Sequence, residues 1–124
     1  MEIILDSIKK LLGIEETDPS FDNEIVMHIN SAITVLTQLG VGPTIGYRIT
    51  GSAETWTSFI GTRRDLEIIK SFIYLKVRLL FDPPQNSFLV DSLQEQIKEF
   101  EFRIVTQAEP YALTAAVETS EETE

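Results

Sequence analysis

The stretch Leu66-Glu67-Ile68-Ile69-Lys70-Ser71-Phe72-Ile73-Tyr74-Leu75-Lys76-Val77-Arg78-Leu79-Leu80-Phe81 decides the fold. At about 100° per residue its polar side chains Glu67, Lys70, Ser71 and Arg78 share one narrow sector, and most of the remaining circumference is apolar. Such a helix is central: it has to be covered on several sides, within the subunit or by a neighbouring one. Lys76 departs from the pattern by lying between Ile69 and Phe72 on the apolar side. Its long stem favours snorkelling toward water, and the sharper alternative is a carboxylate partner across a subunit interface. Thr62-Arg63-Arg64-Asp65 precedes the helix in capping-box form, and Asp82-Pro83-Pro84 stops it, because proline lacks the amide donor and drives its predecessor out of the α region.

Toward the amino terminus, Ile4, Ile8, Leu11 and Leu12 predict a short helix over 3–12, ended by Gly13. Asp18-Pro19-Ser20 offers an N-cap with proline in the first turn, and the helix it opens runs to about Leu39 and Gly40. Phe21, Ile25, Ile29, Ala32, Ile33, Leu36 and Leu39 form its stripe, with Asn30, Thr34 and Gln38 facing outward. From Gly40 to Ser52 four glycines and Pro43 make a long loop, in which the alternation of Ile45, Tyr47 and Ile49 allows a short extended stretch or hairpin. Trp56, Phe59 and Ile60 predict one helical turn that pins the loop's end to the core.

On the other side, a helix starts near Asn86-Ser87 with Leu89, Leu93, Ile97, Phe100 and Ile104 as its stripe, and Glu99 and Arg103 form an i,i+4 pair outside. Phe102 and Phe88 share the opposite face, which favours self-association. The expected architecture is all-α: a small bundle of four to five helices with one long inter-helix loop, a domain over 1–107 and a disordered acidic tail over 108–124.

The 124 residues include 10 Lys+Arg, 20 Asp+Glu, one His and no Cys, for a net charge of -10. Phosphate-gripping surfaces need clustered cations that this chain cannot assemble, so groove readers and polybasic membrane anchors are excluded. Without cysteine there are no disulfides, thiolate nucleophiles or Cys-ligated metals. The amino terminus has no basic n-region and apolar runs fall short of the ~20 residues that span a bilayer, so the expectation is a soluble, unprocessed chain. From Val105 onward there is no Lys or Arg while Glu109, Glu118, Glu121, Glu122 and Glu124 supply five acids, half of the net charge. Tyr111, Leu113 and Val117 in that tail are either anchors for a partner or part of a solvated leftover, the latter being the commoner case.

Candidate chemistry is sparse. His28 with Glu24 one turn earlier is half a metal site and more simply a boundary histidine that packs or hydrogen-bonds. Asp82, Asp91 and Glu95 would need a cleft to do acid-base work, and the Gly40–Gly51 stretch lacks the Lys and the spacing of a P-loop. No internal repeat recurs. These residues point to no catalytic, cofactor or metal site and to an interaction protein rather than an enzyme. A small acidic regulator or DNA mimic that binds a basic protein is the alternative carried by the charge.

The strings Phe21-Asp22-Asn23-Glu24-Ile25, His28-Ile29-Asn30-Ser31-Ala32, Gln38-Leu39-Gly40-Val41-Gly42, Trp56, and Tyr74-Leu75-Lys76-Val77-Arg78-Leu79-Leu80-Phe81-Asp82-Pro83-Pro84 resemble, in order and spacing, the head-tail connector (adaptor) proteins of long-tailed phages and prophages of Gram-positive bacteria. The resemblance covers residues 1–105. It implies a structural virion subunit that assembles as a homo-oligomer, a dodecameric ring beneath the portal protein. That ring extends the channel for double-stranded DNA, which passes without specific binding, and it docks the head-completion or stopper protein and then the tail. It also implies location at the head-tail interface of the virion, with host cytoplasm as the place of assembly, and no membrane partner. Carried onto this chain, 41–52 becomes the channel loop, with Tyr47, Arg48 and Ile49 as candidates. Lys76, Phe88 and Phe102 become subunit-contact candidates, and 109–124, with Tyr111, Leu113 and Val117, the portal-contact segment.

Overall fold

The computed structural model describes the backbone of residues 2–61 and 65–122, with side chains as far as Thr106. Five helices follow one another: α1 (Ile4–Leu12), α2 (Asp22–Gln38), α3 (Trp56–Ile60), α4 (Leu66–Phe81) and α5 (Ser87–Glu122). The central position expected for α4 is observed, since it packs on α1, α2 and α5 while α2 and α5 flank it rather than each other. Ile69, Phe72, Ile73, Leu75 and Val77 of α4 are buried, against Ile25, Ile29, Ala32, Ile33 and Leu36 of α2 and Ile97 and Ile104 of α5 in the same core. The Phe21 and Phe81 rings meet edge to face at 5.3 Å between centroids, so the start of α2 lies beside the end of α4 and the two helices run antiparallel.

A buried lysine fastens α1 to this frame. Lys9 is only 1% exposed, and its ammonium donates to the carbonyls of Glu16 (3.0 Å) and Asp18 (2.7 Å) and lies 2.8 Å from the Asp22 carboxylate. One side chain on α1 thus organises the α1–α2 connection and reaches the positive end of α2, where Asp22 also complements the helix dipole. A buried ammonium is tolerated only when its protons find partners, and here three oxygens supply them. At its other end α1 is stitched to α3. Ile3 bridges Thr55 in antiparallel fashion, Ile4 N donates to Glu54 O at 3.0 Å and Trp56 N to Glu2 O at 3.2 Å, and the buried Trp56 indole donates to Ser7 Oγ at 3.0 Å. Lys70 of α4 pairs with Glu2 and sits 5.7 Å from the centre of the Trp56 ring.

Several boundaries differ from the sequence reading. α2 begins at Asp22, not at Pro19, because the Asp18 carboxylate accepts from Ser20 N at 3.0 Å and closes a local turn instead of capping the helix. That bond from Ser20 holds the Asp18 carboxyl below its usual range. A capping box forms at α3. At α3, Thr55 and Ser58 exchange backbone-to-side-chain bonds of 3.1 Å, whereas Thr62 to Arg64 lie outside the described residues. Among the described residues the loop between α2 and α3 forms no strand, and Ile45 is 96% exposed. Leu89 is exposed, so the buried stripe of α5 starts at Leu93. The α5 backbone is helical through Glu122. Ala108, Leu113, Ala115 and Ala116 are good helix formers, and a residue type that cannot build a core can still wind into a helix.

Replacing Lys9 with Met should lower stability by about 3 kcal/mol in urea unfolding, because two carbonyls and a carboxylate lose their donor. The exposed neighbour Lys10→Met should stay within about 0.5 kcal/mol of the parent.

Candidate functional site

The loop over 40–55 runs beside α2, and it is held there by side chains from three directions. Asn30 pairs with the Ile49 backbone as a second strand would: its Nδ2 donates to Ile49 O at 2.9 Å and its Oδ1 accepts from Ile49 N at 2.7 Å. Ile49 itself is fully buried in the core, as is Val41 at the loop's start. The Tyr47 ring stacks on Phe59 at 5.0 Å between centroids, and its hydroxyl shares a 2.5 Å hydrogen bond with Ser58 Oγ. Gly42 has φ +83°, and a Cβ there would come within 2.6 Å of the Phe59 ring, so only glycine fits. Near the loop's end both Glu54 carboxylate oxygens accept from Thr50, one from its amide at 3.0 Å and one from its hydroxyl at 2.9 Å. Burial pushes the Glu54 carboxyl up, but these bonds outweigh it and hold the group below its ordinary value.

Two concave surfaces among the described residues bear on function. The first, of about 420 Å³, runs along the outer face of α2 and is lined by Asn23, Val26, Met27, Asn30, Ser31, Thr34 and, from the loop, Arg48. Met27 is 58% exposed. Among the described residues Arg48 has no ion pair, so its guanidinium stands unmatched at the groove's rim. The second, of about 650 Å³, follows α1 and its exit, where Glu2, Asp6, Glu15 and Glu16 face Lys10. Of these carboxylates Glu2 is already held by Lys70, and Asp6 is 3.5 Å from Ser52 Oγ.

On the far side of α4, the outer face of α5 carries Phe88 (81% exposed) and Phe102 (71% exposed). Between them lie Asp91, Glu95 and Glu99, with Glu95 beside Lys98 at 3.6 Å and Glu99 beside Arg103 at 2.6 Å. Their exposure agrees with the outward placement read from the helical spacing. Lys76 is half-buried with its ammonium 5.6 Å from the centre of the Phe72 ring, and among the described residues it has no carboxylate within salt-bridge distance.

The channel-loop candidates divide. Arg48 is exposed, Tyr47 is half-buried against Phe59, and Ile49 is in the core; as a side chain able to meet a ligand Ile49 is therefore corrected, because the alternation placing it with Tyr47 reflects inward packing. Tyr111, Leu113 and Val117 fall on the α5 backbone, but their side chains lie outside those described. His28 is mostly buried, 3.9 Å from Glu24, and its Nε2 has no hydrogen-bond partner. Asp82, Asp91 and Glu95 are all exposed and line neither concave surface. Among the described residues no three His, Cys, Asp or Glu side chains come together to hold a metal ion, and no helix is long and apolar enough to cross a membrane. Sequence reading missed Asn30, which it placed outward as a solvated residue. The one signal available was its position opposite a loop too long to lack an anchor.

A family model described as a phage connector protein matches residues 4–111, which take in α1 to α4 and α5 as far as Tyr111. No curated protein and no solved structure matches the chain.

Two measurements check the anchoring of the loop. Asn30→Ala should cost about 1–2 kcal/mol and speed hydrogen exchange at the Ile49 amide, since a buried N–H and C=O both lose their partner. Because Glu54 titrates below its ordinary 4.5, its contribution is complete above that pH and disappears as pH falls through the folded-state value. Glu54→Gln should therefore lower stability at neutral pH and flatten its further loss on acidification through that window, measured by urea unfolding at a series of pH values.

Proposed function

Because this chain belongs to the phage connector protein family, we propose that it is a subunit of a ring beneath the portal. The ring extends the DNA channel and offers a seat to the stopper and tail. A structural role in phage assembly follows from the family alone; the observation that carries the finer reading is the apolar surface the subunit leaves uncovered. Phe88, Phe102, Leu80, Leu89 and Met27 are each more than half exposed on one small domain, and such surface on a stable protein belongs to contacts with other chains. Of the three channel-loop candidates Arg48 is the exposed one.

The charge supports the same reading. Removing the five acids beyond Val105 from the net -10 leaves the rest of the chain at -5, so subunits around a channel surround the duplex with carboxylates. Like charge along a wall raises the energy of phosphate contact and lets the polymer slide. The acidic groove along α1 contributes to this field without needing a ligand of its own.

The test is assembly. Sedimentation and negative-stain microscopy of the protein at rising concentration, alone and with purified portal, should show rings in one or both conditions. A chain that stays monomeric and ignores the portal at every concentration would refute the proposal. In band-shift experiments at physiological salt, duplex DNA should migrate unretarded by the free subunit.

A further inference from the structure

The two uncovered features lie on opposite sides of α4, and they differ in shape and charge. The face of α2 turned away from the core is concave, with Val26 and Met27 as its apolar part and the unmatched Arg48 guanidinium at its rim. The face of α5 turned away from the core is convex, with Phe102 and Phe88 projecting and Glu99 one turn before Phe102. We infer that these are the two halves of a single contact: the α5 ridge of one copy docks into the α2 groove of the next. Phe102 seats on Met27 beneath Arg48, and Glu99, which Arg103 of its own helix holds at 2.6 Å, comes within reach of the Arg48 guanidinium as a carboxylate the two cations share. The inference rests on the ring reading above and assigns its lateral interface.

The alternatives are physically poorer. Joining groove to groove about a two-fold axis would set Arg48 against its own copy and leave both phenyl rings in water. Joining ridge to ridge would leave the Arg48 guanidinium and the exposed Met27 uncovered. Groove to ridge covers Phe102 and gives Arg48 a ring face and a carboxylate together, an arrangement that guanidinium favours over ammonium. The groove runs from Asn23 to Thr34, about 17 Å of helix, and so takes the Phe102 end of the ridge, whose two aromatics are about 21 Å apart. The two faces are different patches on opposite sides of the subunit, so the contact is head-to-tail and propagates into a ring or filament instead of stopping at a dimer. Each aromatic ring buries up to about 200 Å², so one such junction is below the size of a stable pairwise interface and gains from closure of the ring.

A chain without cysteine makes this directly testable, because introduced thiols are the only ones present. Ser31→Cys marks the groove and Thr106→Cys the ridge, one turn beyond Phe102; both sites are exposed and leave Met27, Arg48 and Phe102 in place. The two variants are concentrated and treated with a short bismaleimide. Their mixture should give mainly the mixed S31C–T106C dimer, and the doubly substituted chain a ladder of covalent multiples. Arg48→Glu and Phe102→Ala, each with an unchanged circular-dichroism spectrum, should weaken association at least tenfold by sedimentation velocity. Oligomers that form with no mixed cross-link, or with symmetric dimers at equal yield, would overturn this interface and leave the ring reading intact. Cross-linking of either position only to portal in the assembled complex would likewise overturn it in favour of a different partner. Failure to assemble in any condition would remove the ring reading and this contact together.

Discussion

Everything in the subunit depends on covering α4. A helix apolar around most of its circumference cannot lie at the edge of a domain, and the chain surrounds it with α1 and α2 before it and α5 after it. The order of elements follows from this need. α2 and α5 each pack along α4, and α1 packs on both α2 and α4 with α3 stitched to its amino-terminal end. Phe72, Ile69, Ile73 and Val77 are fully buried as a result. Truncating a side chain such as Phe72 would be felt by all three neighbours, with a cost of about 3–5 kcal/mol.

The parts of this arrangement that rest on periodic apolar spacing were legible from residues alone. The stripe Ile25, Ile29, Ala32, Ile33, Leu36 and the sequence Leu93, Ile97, Phe100, Ile104 pack as their spacing requires. What escaped is polar and long-range. Lys9 reads as a surface lysine next to Lys10, and nothing local reveals that Glu16, Asp18 and Asp22 will close over it. Asn30 reads as solvated because its partner, Ile49, is 19 residues away and supplies backbone atoms, which carry no signature in a sequence. Asp18 shows the same limit at short range: its carboxylate could cap a helix or close a turn, and the amide of Ser20 was nearer.

The candidate surfaces divide along the same line. Phe88 and Phe102 were legible as an outward pair because helical geometry alone places them opposite the buried stripe. The α2 groove was not, since its rim is made by Arg48 from a loop whose course is set by Asn30 and by the core burial of Ile49. A groove formed by tertiary anchoring becomes visible only when the anchor is known.

That anchored loop also changes the entropy of any encounter at Arg48. Ordering free backbone costs roughly 1–2 kcal/mol per residue, and flexible recognition loops meet this cost when a partner arrives. Here the core burial of Val41 and Ile49, the stacking of Tyr47 on Phe59 and the Asn30 clasp have already met it during folding. A neighbour that lands on this loop finds a preorganised rim, so the binding free energy from few contacts is not spent on arranging them.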